Sequence, residues 1–245
     1  MRVLALDSSG LVASVAIVDA DEKNEEVIAE YTVNYKKTHS QTLLPMLDEV
    51  SKMTELNLES IDAIAVAAGP GSFTGLRIGS ATAKGFGLAL KKPLIEVPTL
   101  HGLAYNLCGT DGIVCPIMDA RRGQVYTGIF EFRGNELIVL EDQMAVSIEE
   151  LGEKLKGYDR KVVFLGDGVP VFRELLAETI MKDSQIVFAP ANMNRQRAAS
   201  VGTLGIRYYR EGKATSAREH EPDYLRVSQA ERERKEREER SDIRC

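Results

Sequence analysis

The sequence is poor in the residues that build metal centres and disulfide frameworks. Its 245 residues include three cysteines, Cys108, Cys115 and Cys245, and three histidines. The number of cysteines is odd and no two of them form a C-x-x-C pair, which is typical of reduced thiols in the cytoplasm. We therefore expect a cytoplasmic protein with no disulfide, no bound metal and no cofactor.

Long apolar runs and an excess of positive charge are also missing. No segment approaches the roughly 18–20 uninterrupted apolar residues of a membrane span. The strand-like "RVLALD" after Met1 is not the pattern of a signal peptide, so neither a membrane nor a secretion signal is expected. Thirty-one basic and 37 acidic residues leave a net charge of −6. Because phosphate neutralisation supplies most of the affinity for nucleic acid, direct nucleic-acid binding over a broad surface is not expected, and a local basic patch stays open.

A strand–turn–strand pattern occurs twice along the chain. The pair "VLALDSS" and "VASVAIVD" has a counterpart in "IVCPIMDARRGQVYTGIFEF", and setting Asp119 on Asp7 places Val125 on Ala13, an offset of 112 residues. Alternating helices and strands follow each pattern, which indicates an α/β protein of two similar halves. We predict a first lobe over residues 1–105 and a second over 106–227, with a helix over 194–211 that packs back on the first lobe.

The last residues, 228–245, are dominated by charge. The run "ERERKEREER" contains five residues of each sign and no apolar stripe. Opposite charges four residues apart support a helix weakly, by about 0.2–0.5 kcal/mol per pair. We expect this tail to be a solvated, fraying helix or a disordered segment rather than a binding arm.

A glycine-rich turn in "AVAAGPGSFTGLRIG" ends an apolar strand and opens a helix. A phosphate-binding loop of the G-x-x-x-x-G-K-[ST] type would place its second glycine at Thr74 and its lysine at Gly75, so that motif fails. A dinucleotide motif is half met by Gly69 and Gly71. Free amides at a helix N-terminus can still bind an anion, but the turn is weak evidence for a nucleotide.

The helix behind this turn carries a stripe of small residues, Gly75, Gly79, Ala83 and Gly87, at every fourth position. A glycine inside a helix costs about 0.5–1 kcal/mol relative to alanine, so the stripe indicates close approach of another backbone. That backbone belongs either to this chain's own sheet or first helix, or to a helix of another chain. The spacing alone does not decide between them.

Several segments resemble one protein family across nearly the whole chain. They are "LALDSSGLVASVAI", "THSQTLLPMLDEV", "VAAGPGSFTGLRIGSATAKGFGLALKKPLIEVPTLHGLA", "PIMDARRGQVYTGIF" and "PDYLRVSQAER". Together they are similar to the TsaB (YeaZ) family. The resemblance implies an actin-like (ASKHA) fold of two ribonuclease-H-like lobes and an accessory role beside TsaD and the ATPase TsaE. Those proteins place threonylcarbamoyl, delivered as the adenylate made by TsaC, on N6 of adenosine 37 in ANN-decoding tRNAs.

The leading hypothesis is a non-catalytic subunit whose first two helices bind TsaD, with tRNA contacted only through the complex. A homodimer of the free protein would use the same surface, because an isologous contact can reuse one patch. His39 is expected to face a partner or to cap a helix. The residues assigned to the interface are His39, Leu43, Leu44, Leu47, Phe73, Gly75, Gly79, Ala83 and Gly87.

Two enzymatic alternatives stay open, an ATPase of the actin-like class and a metal-dependent peptidase. The resemblance to TsaD implies a metal-binding histidine pair where this chain has Thr99 and Leu103, with His101 between them, so we expect neither a metal nor a catalytic residue. No Ser/His/Asp or Cys/His set is apparent.

A residual nucleotide site would use the residues at strand ends, Asp7, Ser8, Asp119 and Asp167. Asp7 could instead bond its own turn, and Arg121 or Arg122 could neutralise Asp119.

Overall fold

The computed structural model describes residues 1–35 and 38–225. The first half begins with a three-stranded meander and continues with alternating helices and strands. Its elements are β1 (Arg2–Asp7), β2 (Ala13–Ala20), β3 (Glu25–Val33), α1 (His39–Met53), β4 (Ala63–Gly69), α2 (Phe73–Leu90), β5 (Leu94–Pro98) and α3 (Thr99–Tyr105). A short 3-10 helix, Leu58–Ser60, precedes β4.

The second half repeats this order of elements. It contains β6 (Ile113–Arg121), β7 (Gln124–Arg133), β8 (Glu136–Ser147), α4 (Ile148–Lys156), β9 (Val162–Leu165), α5 (Val169–Leu175), β10 (Ile186–Phe188), α6 (Ala198–Arg210) and β11 (Ala214–Thr215). A π-helical turn, Leu176–Ile180, extends α5. The charged tail predicted over 228–245 lies outside the described residues.

The two sheets share a five-stranded topology, to which the first sheet adds β11 antiparallel to β5 at its edge. Strand order is β3-β2-β1-β4-β5-β11 in the first sheet and β8-β7-β6-β9-β10 in the second. In each, the first three strands pair antiparallel and the next two join in parallel. Strands β1 and β4 are buried almost throughout, as expected for sheet centres covered on both faces. The predicted α/β fold of two similar halves is confirmed.

The superposition of the two hairpins needs a correction of one residue. Asp7 pairs with Ser14, whereas Asp119 pairs with Val125. A single offset of 112 residues therefore does not describe both strands of the hairpin. The two predicted matches, Asp119 on Asp7 and Val125 on Ala13, cannot both hold, because the first hairpin has one residue more between its paired positions.

Helices α3 and α6 each pack on the sheet of the other half. Leu100 and Leu103 of α3 share a core with Val114 and Phe130 of the second sheet. Helix α6 contributes to the core of the first sheet, where Gly202 and Gly205 allow close approach: a Cβ at Gly205 would lie 2.8 Å from that of Ala65.

The lobe boundaries at 105 and 227 stay a prediction. Within the described residues, no helix is long and apolar enough to cross a membrane.

Candidate functional site

A cleft of about 620 Å³ lies between the two sheets. One wall consists of the first hairpin loop, the start of α1 and the turn that opens α2. The opposite wall comes from the end of β6, from β7 and from the turn after β9. The residues that line it are Ser9, Gly10, Leu11, Tyr35, Thr38, His39, Gly71, Ser72, Phe73, Thr74, Gly75, Ile78, Met118, Asp119, Ala120, Arg121, Tyr126 and Asp167.

Asp7 lies beneath this cleft and holds the first hairpin loop. Its Oδ1 accepts hydrogen bonds from the amide of Ser9 at 2.9 Å and from the Ser9 hydroxyl at 2.6 Å. Burial raises the pKa of the Asp7 carboxyl to about 6, although both bonds act in the opposite direction. Asp7 therefore bonds its own turn, which was one of the two interpretations open from the sequence.

The same loop is bonded to the N-termini of both α1 and α2. The Ser8 hydroxyl donates to the carbonyl oxygen of Gly75 at 2.9 Å, and the amide of Ser72 donates to the carbonyl oxygen of Ser9 at 2.6 Å. His39 Nε2 lies 2.8 Å from the carbonyl oxygen of Gly10. Ser8 and His39 are thus engaged within this chain, and they fix the two helices relative to the loop.

The small-residue stripe of α2 faces inward. A Cβ at Gly75 would overlap the carbonyl oxygen of Ser8, and one at Gly79 would lie 2.5 Å from Ser8 Oγ. Ala83 is fully buried, and a Cβ at Gly87 would lie 2.8 Å from that of Ala217. The assignment of this stripe to a contact with another chain is wrong, because backbone and side-chain atoms of this chain fill that space.

The apolar residues of α1 lie partly in the core and partly at the surface. Leu43 and Leu47 are buried in the core under the first sheet, so they are not available to a partner either. Leu44 is 53% exposed, and Phe73 and His39 are half-buried. Of the residues assigned to the interface, Leu44 alone is both exposed and apolar among those that the structure describes.

The outward face of α2 consists of other residues. Arg77, Ala81, Gly85 and Leu88 are exposed, and Leu88 is exposed by 53%. A Cβ at Gly85 would meet no atom within 4 Å in the described structure. We define the α1–α2 face as the exposed side chains of these two adjacent helices, with Leu44, Met53 and Leu88 as its large apolar members.

On the opposite wall, Asp119 and Asp167 are brought together. The Asp119 amide donates to Asp167 Oδ1 at 3.2 Å. Arg121 pairs with Asp119 through Nη1 at 3.1 Å, and its amide donates to the same carboxylate at 2.8 Å. Burial raises the pKa of Asp167, whereas the nearby charge of Arg195 lowers it. The neutralising role considered for the arginine pair is observed for Arg121.

The segment that replaces the histidine pair belongs to the core. Thr99 Oγ1 accepts from the amide of Gly69 at 3.1 Å, and Leu103 is buried between the sheets. His101 lies 2.8 Å from the hydroxyl of Tyr208, and burial lowers the pKa of its imidazole. Among the residues that the structure describes, no cluster of three or more His, Cys, Asp or Glu side chains is suited to a metal ion.

The structure also assembles a Ser/His/acid set that the sequence analysis missed. Ser80 Oγ lies 2.8 Å from His220 Nε2, and His220 Nδ1 lies 2.7 Å from Glu96 Oε1. These residues come from α2, β5 and the segment after β11, and no local motif connects them. The fold therefore brings together a set that is not apparent in the sequence.

Comparisons with known proteins agree with this architecture. A family model described as TsaD: tRNA N6-adenosine threonylcarbamoyltransferase matches residues 26–234. The tRNA threonylcarbamoyladenosine biosynthesis protein TsaB of Bacillus subtilis is 33% identical over 94% of this chain and 96% of its own length. TsaB of Escherichia coli is 29% identical over 92% of this chain and 95% of its own.

Solved structures lead to the same family. YeaZ from Pseudomonas aeruginosa superposes with a TM-score of 0.76 at 25% sequence identity, covering 91% of this chain and 99% of that one. This match confirms the predicted actin-like class of two ribonuclease-H-like lobes. The chain belongs to the TsaB (YeaZ) family of tRNA threonylcarbamoyladenosine biosynthesis proteins.

Proposed function

We propose that this protein is a cytoplasmic, non-catalytic subunit that binds a TsaD-type transferase and, with a TsaE-type ATPase, enables threonylcarbamoyl transfer to N6 of adenosine 37 in tRNA. The observation that carries the proposal is the near-full-length match to proteins named for threonylcarbamoyladenosine biosynthesis. In this proposal tRNA is reached through the complex, and no cofactor is bound by this chain.

The engagement of the cleft residues supports a non-catalytic role. The Asp7 carboxylate and the Ser8 hydroxyl bond within their own lobe, and Asp119 is paired with Arg121. Thr99 and Leu103, in place of a histidine pair, pack in the core. Groups that hold their own backbone in this way serve the fold, whereas a phosphate or metal site needs such groups directed at the ligand.

The α1–α2 face is the surface we propose for the partner. Leu44 and Leu88 are each 53% exposed there. Exposed aliphatic side chains on two adjacent helices suit burial against the helices of a second protein, because apolar area removed from water contributes about 25 cal/mol per Å². The partner is a TsaD-type chain, and a second copy of this chain is the competing occupant.

The test compares charged substitutions on and off this face. Leu44→Glu and Leu88→Glu should each weaken binding to a TsaD-type partner by about tenfold or more, because a carboxylate would be desolvated in the contact. Val171→Glu on α5 is the matched control, since Val171 is 58% exposed and lies in the other half. Equal affinities for all three variants and wild type would overturn the assignment of the face.

Sedimentation of the free protein tests whether a second copy of this chain occupies the face instead. Disruption of a homodimer by Leu88→Glu, with unchanged affinity for the transferase, would assign the face to a second copy. Turnover of ATP by the isolated wild-type chain that disappears in Asp119→Asn would instead favour the ATPase alternative.

A further inference from the structure

The segment after β11 runs back along the first sheet as a strap, which we define as residues 216–225. Ala217 is buried against the space left by Gly87. Near the other end, the amide of Asp223 donates to the carbonyl oxygen of Ala68 at 2.7 Å. The ring of Tyr224 lies 4.9 Å from that of Phe73. The strap therefore contacts α2 at both of its ends.

His220 fixes the middle of the strap. Its imidazole is fully buried and connects Ser80 of α2 with Glu96 of β5 at 2.8 and 2.7 Å. The bond from His220 lowers the pKa of Glu96, so the carboxylate form is favoured. Loss of the imidazole would leave the buried hydroxyl of Ser80 without this hydrogen bond, which is costly for a buried group, and would remove one bond from the half-buried Glu96. We call these three residues the latch.

The latch has the connectivity of a hydrolytic triad but not its accessibility. A serine nucleophile must reach a substrate carbonyl, and its histidine must then protonate the leaving group. Ser80 is 5% exposed in the interior of α2, and His220 has no exposed surface. The bonds of the latch therefore hold the strap in place.

The end of the strap organises the start of α2. Arg77 lies over the ring of Phe73 at 4.0 Å, and its Nε donates to the hydroxyl of Tyr224 at 3.4 Å. Phe73 lines the cleft, whereas Arg77 is exposed on the outward side of α2. Tyr224 and Leu225 are 37% and 36% exposed beside them. A partner on the first turns of α2 would contact the strap as well.

We propose that the Ser80–His220–Glu96 latch closes the strap on α2 and thereby positions Phe73, Arg77 and Tyr224 as one surface for the partner protein. His220 is a positioning residue in this proposal, because it acts through Tyr224 and α2 without touching the partner. The proposal rests on the proposed function for the identity of the partner. The closure of the strap itself is independent of that identity.

The test combines peptide-level hydrogen exchange with affinity for a TsaD-type partner. His220→Phe keeps an aromatic ring of similar volume but removes both bonds. It should speed exchange in residues 216–225 and at the start of α2 by about tenfold or more, with β1 and β4 unchanged, and weaken binding about tenfold. Tyr224→Ala should weaken binding without loosening residues 216–221.

Two further variants keep the result decisive. Arg218→Ala alters an exposed strap residue and should change neither measurement. If His220→Phe does not fold, Ser80→Ala removes one bond of the latch without adding volume and should loosen the strap in the same direction.

Unchanged exchange in the strap would overturn the latch, and a loosened strap with unchanged affinity would overturn its positioning role. A wild-type chain that binds no TsaD-type partner would overturn the proposed function and the positioning role together, while exchange would still decide whether the latch closes the strap.

Discussion

The hydroxyl of Ser8 donates a hydrogen bond to the carbonyl oxygen of Gly75 at 2.9 Å, joining the first hairpin loop to the first turn of α2. The contact requires glycine, because a Cβ at this position would overlap the backbone of Ser8. The loop that forms one wall of the cleft and the helix that forms part of the proposed partner surface are consequently one packed unit.

Two glycines of α2 should respond in opposite ways to substitution by alanine. Gly85→Ala should raise the free energy of unfolding by about 0.5–1 kcal/mol, because its Cβ would meet no atom of the described residues within 4 Å and alanine favours the helix. Gly75→Ala should lower it by about 1–3 kcal/mol through overpacking against Ser8. Urea denaturation of both variants measures this difference. A stabilised Gly75→Ala variant would contradict the described packing.

The sequence is sufficient to predict the two halves, the order of elements and the small-residue stripe. It also predicts the close approach of another backbone, which the structure shows at Gly75. The spacing does not tell whether the stripe faces this chain or another one, because a glycine face packs equally well on an internal sheet and on a helix of another chain. What decides it is the position of Ser8, which follows a different strand and meets α2 only in the folded chain.

The latch shows a second limit of prediction from one sequence. Ser80 and His220 are separated by 140 positions, and His220 and Glu96 by 124. Each residue alone is unremarkable in its segment, and the segment containing His220 has no hydrophobic periodicity. Only the return of the chain through β11 to the edge of the first sheet brings the three together.

The buried carboxyl of Asp7 should make stability depend on pH. Its pKa of about 6 in the folded protein exceeds the usual value near 3.8, so the folded state binds the proton more tightly. The resulting stabilisation is complete below about pH 4 and is lost as the pH rises through about 6.

Asp7→Asn tests this dependence, because the asparagine side chain keeps an oxygen that can accept from Ser9 and carries no charge. Relative to wild type, the variant should gain stability between about pH 4 and pH 7. Burial also raises the pKa of Asp167, but this effect is the same in wild type and in the variant. It therefore cancels in the difference between their stabilities. A pH-independent difference between the two denaturation midpoints would contradict the assignment to Asp7.

The stability of the N-terminus of α6 should depend on a hydrogen bond to a side chain of the first sheet. Ser14 Oγ accepts from the amide of Ala198 at 2.8 Å, and Glu30 accepts from that of Ala199 at 2.9 Å. Ser14→Ala leaves a buried amide without this acceptor and should cost about 1–2 kcal/mol of unfolding free energy.

Thr203→Ala is the control for that variant, because the Thr203 hydroxyl donates to a carbonyl of its own helix, that of Ala199. We expect it to change stability by no more than about 0.5 kcal/mol. Equal losses in the two variants would show that the hydroxyl of Ser14 does not cap α6.

The most direct test of the proposed function is a reconstituted tRNA modification assay containing a TsaD-type transferase, a TsaE-type ATPase and threonylcarbamoyl-adenylate, with and without this chain. The proposal predicts threonylcarbamoyladenosine at position 37 only when the chain is added, a strongly reduced yield with Leu88→Glu, and no product from the chain alone. Equal yields in its presence and absence would contradict the accessory role. Product formation by the isolated chain would contradict its non-catalytic character.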